Sequence, residues 1–187
     1  MVYRPISINE EITFSKNKFL VSKTDLKGKI IFVNKNFCDI SGYREDILIG
    51  SQHNIVRHPD MPKVIFFLVW KNLLSGRKIT TILKNLAKSG KYYWVIADFE
   101  PKFNAEGEII SLTAFRRVAP NYVVDEVEEL YSILLAIEKK HGMEKSLAYL
   151  EGFLDEKSMT YDKYIEELTK PKGILESLLS AFKRIFR

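Results

Sequence analysis

The feature that most constrains this sequence is an uninterrupted run of seven apolar residues, Val64 to Trp70. A helix that spans a bilayer needs about 20 apolar residues, so this run is too short to cross a membrane and must be buried within protein. Pro62 precedes the run and Gly76 follows it, and proline early with glycine late is the order expected for a helix. Because such a helix would be apolar on every side, we predict that more than one of its faces is covered.

Asp60 is the predicted start signal of this helix. Its carboxylate lies directly before Met61 and Pro62, where an aspartate can accept hydrogen bonds from the first N–H groups of a helix. We therefore predict Asp60 as the N-cap of a helix from about Met61 to Leu74.

Short β-branched and apolar runs on both sides of this helix predict strands. The predicted strands are 19–24, 30–33, 78–83, 92–97 and 109–115. The turn Asp25-Leu-Lys-Gly28 joins the first two as a hairpin, and two short helices, 36–41 and 44–48, follow them. Two strands, short helices, one long helix and a three-stranded meander predict an α+β fold, in which an antiparallel sheet carries its helices on one face.

From about position 121 the sequence is almost entirely helical in pattern. Apolar residues recur at helical spacing in three successive sets: Val127, Leu130, Leu134 and Ile137; Leu147, Leu150 and Leu154; Tyr161, Tyr164, Ile165 and Leu168. Thr160 is the predicted N-cap of the third helix. We divide the chain into an N-terminal segment (1–18), an α+β domain (19–120) and a helical extension (121–187).

Composition and motifs favour a cytoplasmic binding module over an enzyme. There is no Walker loop, nucleophile elbow or H-E-x-x-H motif, and no apolar stretch near the start typical of a secretory signal. The single cysteine, Cys38, allows no intramolecular disulfide or cysteine metal site, and we predict a buried structural thiol. The basic residues behind the net charge of +5 are scattered, which argues against nucleic-acid binding.

One polar cluster lies directly before the apolar helix, His53-Asn-Ile-Val-Arg57-His58-Pro-Asp60-Met-Pro62. In one interpretation Asp60 caps the helix and the other residues form a loop. In the other, the cluster is a polar clasp at the mouth of an apolar cofactor pocket. Arg57 would then pair with a phosphate or a ring carbonyl, His58 would donate to a ring heteroatom, and Asp60 would hold the arginine in place.

Several motifs together resemble the PAS domain of aerotaxis and energy-taxis receptors. They are Asn34-Lys-Asn-Phe-Cys-Asp-Ile-Ser-Gly-Tyr43, the R-H-P-D-M-P box at 57–62, Trp70, Lys84-Asn85 and Lys88-Ser-Gly-Lys-Tyr-Tyr-Trp94, and the resemblance spans roughly residues 15 to 120. It implies a five-stranded antiparallel sheet with helices on one face, and bound FAD that reports the redox state of electron transport. The flavin-site residues it implies are Arg57, His58, Asp60, His53, Asn34, Trp70 and Asn85.

The sequence departs from the family pattern at one position, and the resemblance also implies a signalling partner. Ile79 stands where the family usually has a tryptophan, which implies weaker flavin binding because a stacking partner is lost. The chain is most similar to the soluble PAS half of bipartite energy-taxis systems. That similarity implies a cytoplasmic protein that signals to a chemotaxis-type transducer in the inner membrane. The apolar helix gives a separate expectation, because a cofactor, the C-terminal helices or a second subunit must cover its remaining faces, and we predict a homodimer or hetero-complex.

Two other functions stay open at this point. One is a cofactor-free PAS adaptor or dimerisation module. The other is a haem-binding PAS gas sensor, for which His53, His58 and His141 are the candidate axial ligands. The absorption spectrum of the purified protein distinguishes them from a flavoprotein, and no metal-ion site is predicted.

The segment from Ile174 to Arg187 places seven large apolar residues on one helical face. Three roles are open for it: packing on the preceding helices, docking to a groove on the partner, or lying on an anionic membrane through its basic end. Removing the residues after Lys170 separates them. Core packing predicts a large drop in melting temperature, and docking predicts normal stability with lost transducer binding. Membrane attachment predicts a loss of liposome binding that high salt reproduces in the intact protein.

Overall fold

The computed structural model of the protein describes residues 5–170, so the helix predicted from Ile174 lies outside the described residues. The strands are β1 Leu20–Thr24, β2 Ile30–Val33, β3 Ile79–Leu86, β4 Tyr92–Phe103 and β5 Ile109–Val118. The helices are α1 Lys35–Ser41, α2 Glu45–Leu48, α3 Lys63–Leu74, α4 Asn121–His141, α5 Met143–Glu156 and α6 Tyr161–Thr169, with a 3-10 helix at His53–Val56. The predicted α+β architecture is confirmed.

The five strands form one antiparallel sheet in the order β2-β1-β5-β4-β3. The chain leaves β2 at one edge and reaches β3 at the other edge through α1 to α3, which pack on one face of the sheet, its inner face. Alternate residues of a strand share a face. On the inner face, Leu20 and Ser22 of β1 lie directly opposite Arg116 and Ala114 of β5. An arginine side chain is therefore directed into the interior.

The last three strands are longer than predicted. The sequence predicted ends at 83, 97 and 115, whereas β3 continues to Leu86, β4 to Phe103 and β5 to Val118. The reason is that backbone pairing continues past the apolar pattern: β4 pairs with β5 from Val95 to Phe103. Backbone N–H and C=O groups form a ladder whatever side chains they carry, so polarity does not mark the end of a paired strand.

Asp60 is not the cap of α3, and this prediction is wrong. The helix begins at Lys63, and no side chain of its N-cap residue, Pro62, caps it. Instead Glu138, on α4, accepts hydrogen bonds from the backbone N–H groups of Lys63 at 2.8 Å and Val64 at 2.7 Å. One carboxylate thus satisfies two N–H groups that have no partner within the helix, and its charge complements the helix dipole.

The part of the helical extension that the structure describes, α4 to α6, packs on the edge of the sheet and on α3. On α4, Val127, Leu130 and Leu134 of the predicted stripe are buried, while Ile137 is half-buried. The hydroxyl of Tyr131 donates to the backbone carbonyl of Ile82 on the edge strand β3 at 2.9 Å. α6 also lies against β3, and α5 against α3, so the expected cover on several faces of α3 is present. Within residues 5–170, no helix is long and apolar enough to span a bilayer.

The N-terminal segment runs beside the start of β4. The backbone N–H of Ile8 donates to the carbonyl of Gly90 at 2.8 Å, and that of Ile12 donates to the carbonyl of Tyr92 at 2.7 Å. Gly90 has φ +87°, and a Cβ there would lie 2.4 Å from the carbonyl oxygen of Ile6. The turn between β3 and β4 therefore requires glycine if this segment is to pack against it.

Replacing Glu138 tests the cap. Glu138→Ala removes both acceptors and should lower the free energy of unfolding by about 1–2 kcal/mol, whereas Glu138→Gln keeps one acceptor and should lower it less. Asp60→Ala is the matched control, because an exposed carboxylate away from the helix start should change stability by within about 0.5 kcal/mol. Urea unfolding monitored by circular dichroism measures all three. If Asp60→Ala lowers the free energy of unfolding more than Glu138→Ala does, then Asp60 and not Glu138 is the cap.

Candidate functional site

A cavity of about 240 Å³ lies between α3 and the inner face of the sheet. Its apolar wall includes Phe66, Val69, Trp70 and Leu73 of α3, with Leu83 of β3 and Phe99 of β4. Its polar groups include Ser22, Gln52, His53, Arg57, Asn85 and Arg116. An apolar pocket with a few converging polar side chains is the usual form of a small-molecule site.

Arg116 is the polar centre of this cavity. Its side chain is only 1% exposed. One terminal nitrogen, Nη1, donates to Ser22 Oγ at 2.9 Å, and the other, Nη2, donates to His53 Nε2 at 3.1 Å. The rings of Phe37 and Phe99 lie 5.6 and 5.5 Å from its guanidinium carbon. Burial lowers the pKa of Arg116 to about 10, so the side chain is still a cation at neutral pH.

His53 is held neutral by its burial and by this cation. A guanidinium can only donate, so His53 Nε2 accepts from Arg116 and carries no proton. Ser22 Oγ lies 3.0 Å from the same nitrogen and accepts from Arg116, which leaves its own hydrogen available for His53. Burial and the positive charge of Arg116 lower the pKa of His53 to about 3. The Arg116 guanidinium and the Ser22 hydroxyl both donate to the lone pair on His53 Nε2, the lone pair that would be needed to bind a haem iron.

Two buried donors in this cavity have no acceptor. Among residues 5–170, neither Asn85 Nδ2 nor Arg116 Nε has a hydrogen-bond partner. A buried polar group without a partner costs roughly 1–3 kcal/mol, so native folds seldom retain one without reason. Both residues line the cavity. The arrangement is therefore suited to a ligand that brings acceptor atoms to these two nitrogens.

Arg57 and Trp70 form part of the cavity wall. Arg57 donates from Nη2 to the carbonyl oxygen of Met61 at 2.8 Å, and its guanidinium lies 4.1 Å from the ring centre of Phe66. Its backbone also pairs with that of Asn85 on the open edge of β3. Opposite them, Gly28 has φ +78°, and a Cβ there would lie 3.2 Å from the Trp70 ring. The hairpin between β1 and β2 thus approaches Trp70 closely because it carries no side chain.

Three sequence-predicted site residues lie outside the cavity wall. Asn34 accepts from the backbone N–H groups of Phe37 and Val21, both at 3.0 Å, so it caps α1 and ties it to β1. His58 is buried, and its Nδ1 accepts from the backbone N–H of Asp60 at 3.2 Å. Asp60 is 59% exposed, and its carboxylate lies 3.8 Å from Lys84 Nζ. The predicted clasp is therefore divided, with Arg57 at the cavity and the other two in the supporting loop.

The structure also shows where three other residues discussed from the sequence lie: Ile79, His141 and Cys38. Ile79 is buried at the start of β3, directly opposite Phe99 of the cavity wall. His141 is exposed at the end of α4. Cys38 is half-buried on α1, less than predicted, and burial followed by the nearby charges of Glu45 and Asp39 raises the pKa of its thiol.

Arg116 was missed because the predicted fifth strand ended at Phe115. A strand extended by three residues would place Arg116 on the same face as Leu112 and Ala114, which are both apolar in type. That alternation was a signal for a buried arginine. The adjacent Arg117 points to the other face, where it pairs with Asp98.

Comparisons with known proteins agree with this architecture. Residues 30–116 match the family model of the PAS fold. The aerotaxis receptor of Escherichia coli (strain K12) is 35% identical over 154 residues, which is 82% of this chain and 30% of the receptor. A nitrogen fixation regulatory protein of Klebsiella pneumoniae is 27% identical over 107 residues, 57% of this chain and 22% of that protein. The chain thus spans less than a third of the length of these relatives.

Solved structures support the fold alone. A light-oxygen-voltage domain studied with a flavin analogue superposes with a TM-score of 0.52 at 20% sequence identity, covering 59% of this chain and 84% of that one.

The low pKa of His53 predicts acid sensitivity. Its pKa is about 3 in the folded protein against an ordinary 6.5, so between these values the unfolded chain binds a proton that the folded one does not. The free energy of unfolding should therefore fall as the pH drops from about 6.5 towards 3. His53→Gln keeps an acceptor for Arg116 but does not titrate, so it should lose less stability over this range. Urea unfolding of both proteins at several pH values measures the difference, and parallel curves would contradict the assignment.

Proposed function

Because this chain belongs to the PAS family through residues 30–116, we propose that it is a redox or energy sensor that binds FAD in the cavity between α3 and the sheet. The observation that carries the proposal is the pair of buried donors, Asn85 Nδ2 and Arg116 Nε, in a cavity walled by Phe66, Trp70 and Phe99. A flavin ring is planar, and its edge carries several oxygen and nitrogen acceptors. The aromatic wall can pack against the faces of a flavin ring, and the two unpaired donors can bind acceptors on its edge.

The size of the cavity limits which part of FAD it would hold. At about 240 Å³ it is smaller than the roughly 300–1,000 Å³ of typical ligand pockets. It suits one planar ring system and not a whole dinucleotide. A flavin supplies reversible reduction, the chemistry that a redox sensor requires. Asn85 and Arg116 would bind the ring edge, and the apolar wall formed by α3 would exclude water from it.

Arg57 would position the cavity wall. Its hydrogen bond to the Met61 carbonyl and its contact with Phe66 hold the loop before α3 against the helix. Its backbone pairing with Asn85 holds the same loop against β3. In this proposal Arg57 orients Asn85, while buried His58, whose Nδ1 accepts from the backbone N–H of Asp60, stabilises the loop from outside the cavity.

The helical extension is the proposed output element. Glu138 of α4 caps α3, which lines the cavity. Lys84, next to Asn85, lies 3.1 Å from Glu128 of α4. A ligand that shifts α3 or Asn85 would thus change contacts with α4. The protein that receives the signal would be a membrane-bound chemotaxis-type transducer, and the similarity to an aerotaxis receptor supports that class of partner. This chain would contact the transducer in the cytoplasm, either as a homodimer or as part of a hetero-complex.

Two asparagine variants test the cofactor proposal. Asn85→Val removes a donor from the cavity and should weaken flavin binding about fivefold to a hundredfold, because a ring acceptor loses its partner. Asn34→Ala is the matched control. It should cost about 1 kcal/mol of stability through loss of the α1 cap, with flavin affinity unchanged.

Binding is measured by titrating the stripped protein with FAD and following absorbance and fluorescence, with dithionite reduction to confirm a flavin. A wild-type protein that binds no FAD, or equal flavin losses in both variants, would refute the site. A sharp blue-violet band in the purified protein would favour the haem sensor, and a colourless protein that takes up neither group would favour the cofactor-free module.

A further inference from the structure

We propose that Arg116 makes the cavity selective for a ligand that carries a negative charge, or acquires one, beside the guanidinium. For a flavin ligand the inference rests on the proposed function. The charge preference itself follows from the protein and applies to any ligand of this cavity.

The first step is that the charge of Arg116 has no counter-charge. The side chain is 1% exposed, so water does not solvate it as at a surface. Across the described part of the chain, every ion pair involves other residues, and no carboxylate pairs with Arg116. The neighbouring arginine shows the contrast, because Arg117 pairs with Asp98 on the other face. Burying a cation without an anion is unfavourable. The contacts of Arg116 within the fold therefore do not explain why an arginine is kept at this position.

The second step is that the neighbours of Arg116 cannot become anions at neutral pH. Ser22 and His53 accept its hydrogen bonds as neutral groups. Tyr93 is close enough to interact with it electrostatically, but burial raises the pKa of the Tyr93 hydroxyl far above neutrality. The rings of Phe37 and Phe99 offer only their faces, a weaker form of compensation than a carboxylate.

The third step is that Arg116 still has a donor available where a ligand would lie. Within the described range its Nε has no acceptor, and the residue lines the cavity beside His53 and Asn85. An ordered water could accept from Nε but carries no charge, whereas an anionic ligand supplies both the acceptor and the negative charge. Charge-assisted hydrogen bonds are roughly twice as strong as neutral ones, so an anionic ligand gains more here than its neutral analogue.

For a flavin this preference acts on the reduced form. Uptake of two electrons and one proton leaves the ring with one negative charge, while the oxidised ring is neutral. Arg116 should therefore bind the reduced ring more tightly relative to the oxidised ring than a neutral side chain would. The ratio of the two affinities sets how far the protein shifts the reduction potential of the bound group.

A ligand pair that differs only in charge tests the preference without flavin. Benzoate and benzamide are both planar and similar in size. Each is titrated into the intact 187-residue chain while the thermal unfolding of the protein and its tyrosine and tryptophan fluorescence are followed. We expect wild type to bind benzoate at least about tenfold more tightly than benzamide, the factor that separates a charged from a neutral hydrogen bond. Arg116→Gln, which keeps donors but loses the charge, should lower this ratio at least severalfold, with Arg57 left as the other guanidinium in the cavity wall, and Arg116→Lys should retain the preference.

Circular dichroism establishes that each variant is folded before it is compared. If Arg116→Gln does not fold, the wild-type ratio and the Arg116→Lys ratio still decide the matter. Equal binding of the two probes by wild type, an undiminished ratio in Arg116→Gln, or failure of benzoate to bind would overturn the inference.

A second measurement uses FAD with dithionite as the reductant. We expect the ratio of reduced to oxidised flavin affinity, obtained from the reduction potential, to fall at least about tenfold in Arg116→Gln and less in Arg116→Lys. The two proposals fail separately. Benzoate selectivity without any flavin binding would refute the proposed function alone. Flavin binding with no effect of Arg116→Gln on either ratio would refute the charge preference alone.

Discussion

The cavity depends on one constraint, a guanidinium held inside the fold without an opposite charge from any residue between 5 and 170. Isolated buried ions cost several kcal/mol. Within residues 5–170, Arg116 is compensated only by Ser22, His53 and two aromatic rings. These contacts define the surrounding chemistry: His53 must stay neutral, and Ser22 must orient its hydroxyl towards that ring. The cavity is thus polarised even though most of its wall is apolar.

The second organising contact joins the two regions of the chain. The sequence shows a change of character near position 121, which suggests a domain followed by an appendage. The contacts across that boundary are specific, however: Glu138 caps α3, Tyr131 bonds the edge of β3, and Lys84 meets Glu128. Helix α4 therefore contacts both α3 and β3 of the cavity-bearing domain directly.

Patterns that depend on neighbours in sequence predicted much of this fold. The β1–β2 hairpin, α3 from its apolar run, and α6 from its Thr160 cap all follow local rules. Asp60 failed as a cap because a better acceptor arrives from Glu138 on α4, which a local rule cannot foresee. Of the candidate site, Arg57, His53, Trp70 and Asn85 line the cavity, while Arg116 was missed because its burial depends on strand register.

The long separation between α3 and its cap has a consequence for how the protein folds. Glu138 lies 75 positions after Lys63, so the contact closes a large loop and cannot form until most of the chain is available. Contacts between distant positions slow folding, since the entropy of closing the loop is lost before the contact forms. On a growing chain α3, which ends at Leu74, emerges well before α4, which begins at Asn121. The helix beside the cavity therefore reaches its final stability only after α4 has been synthesised.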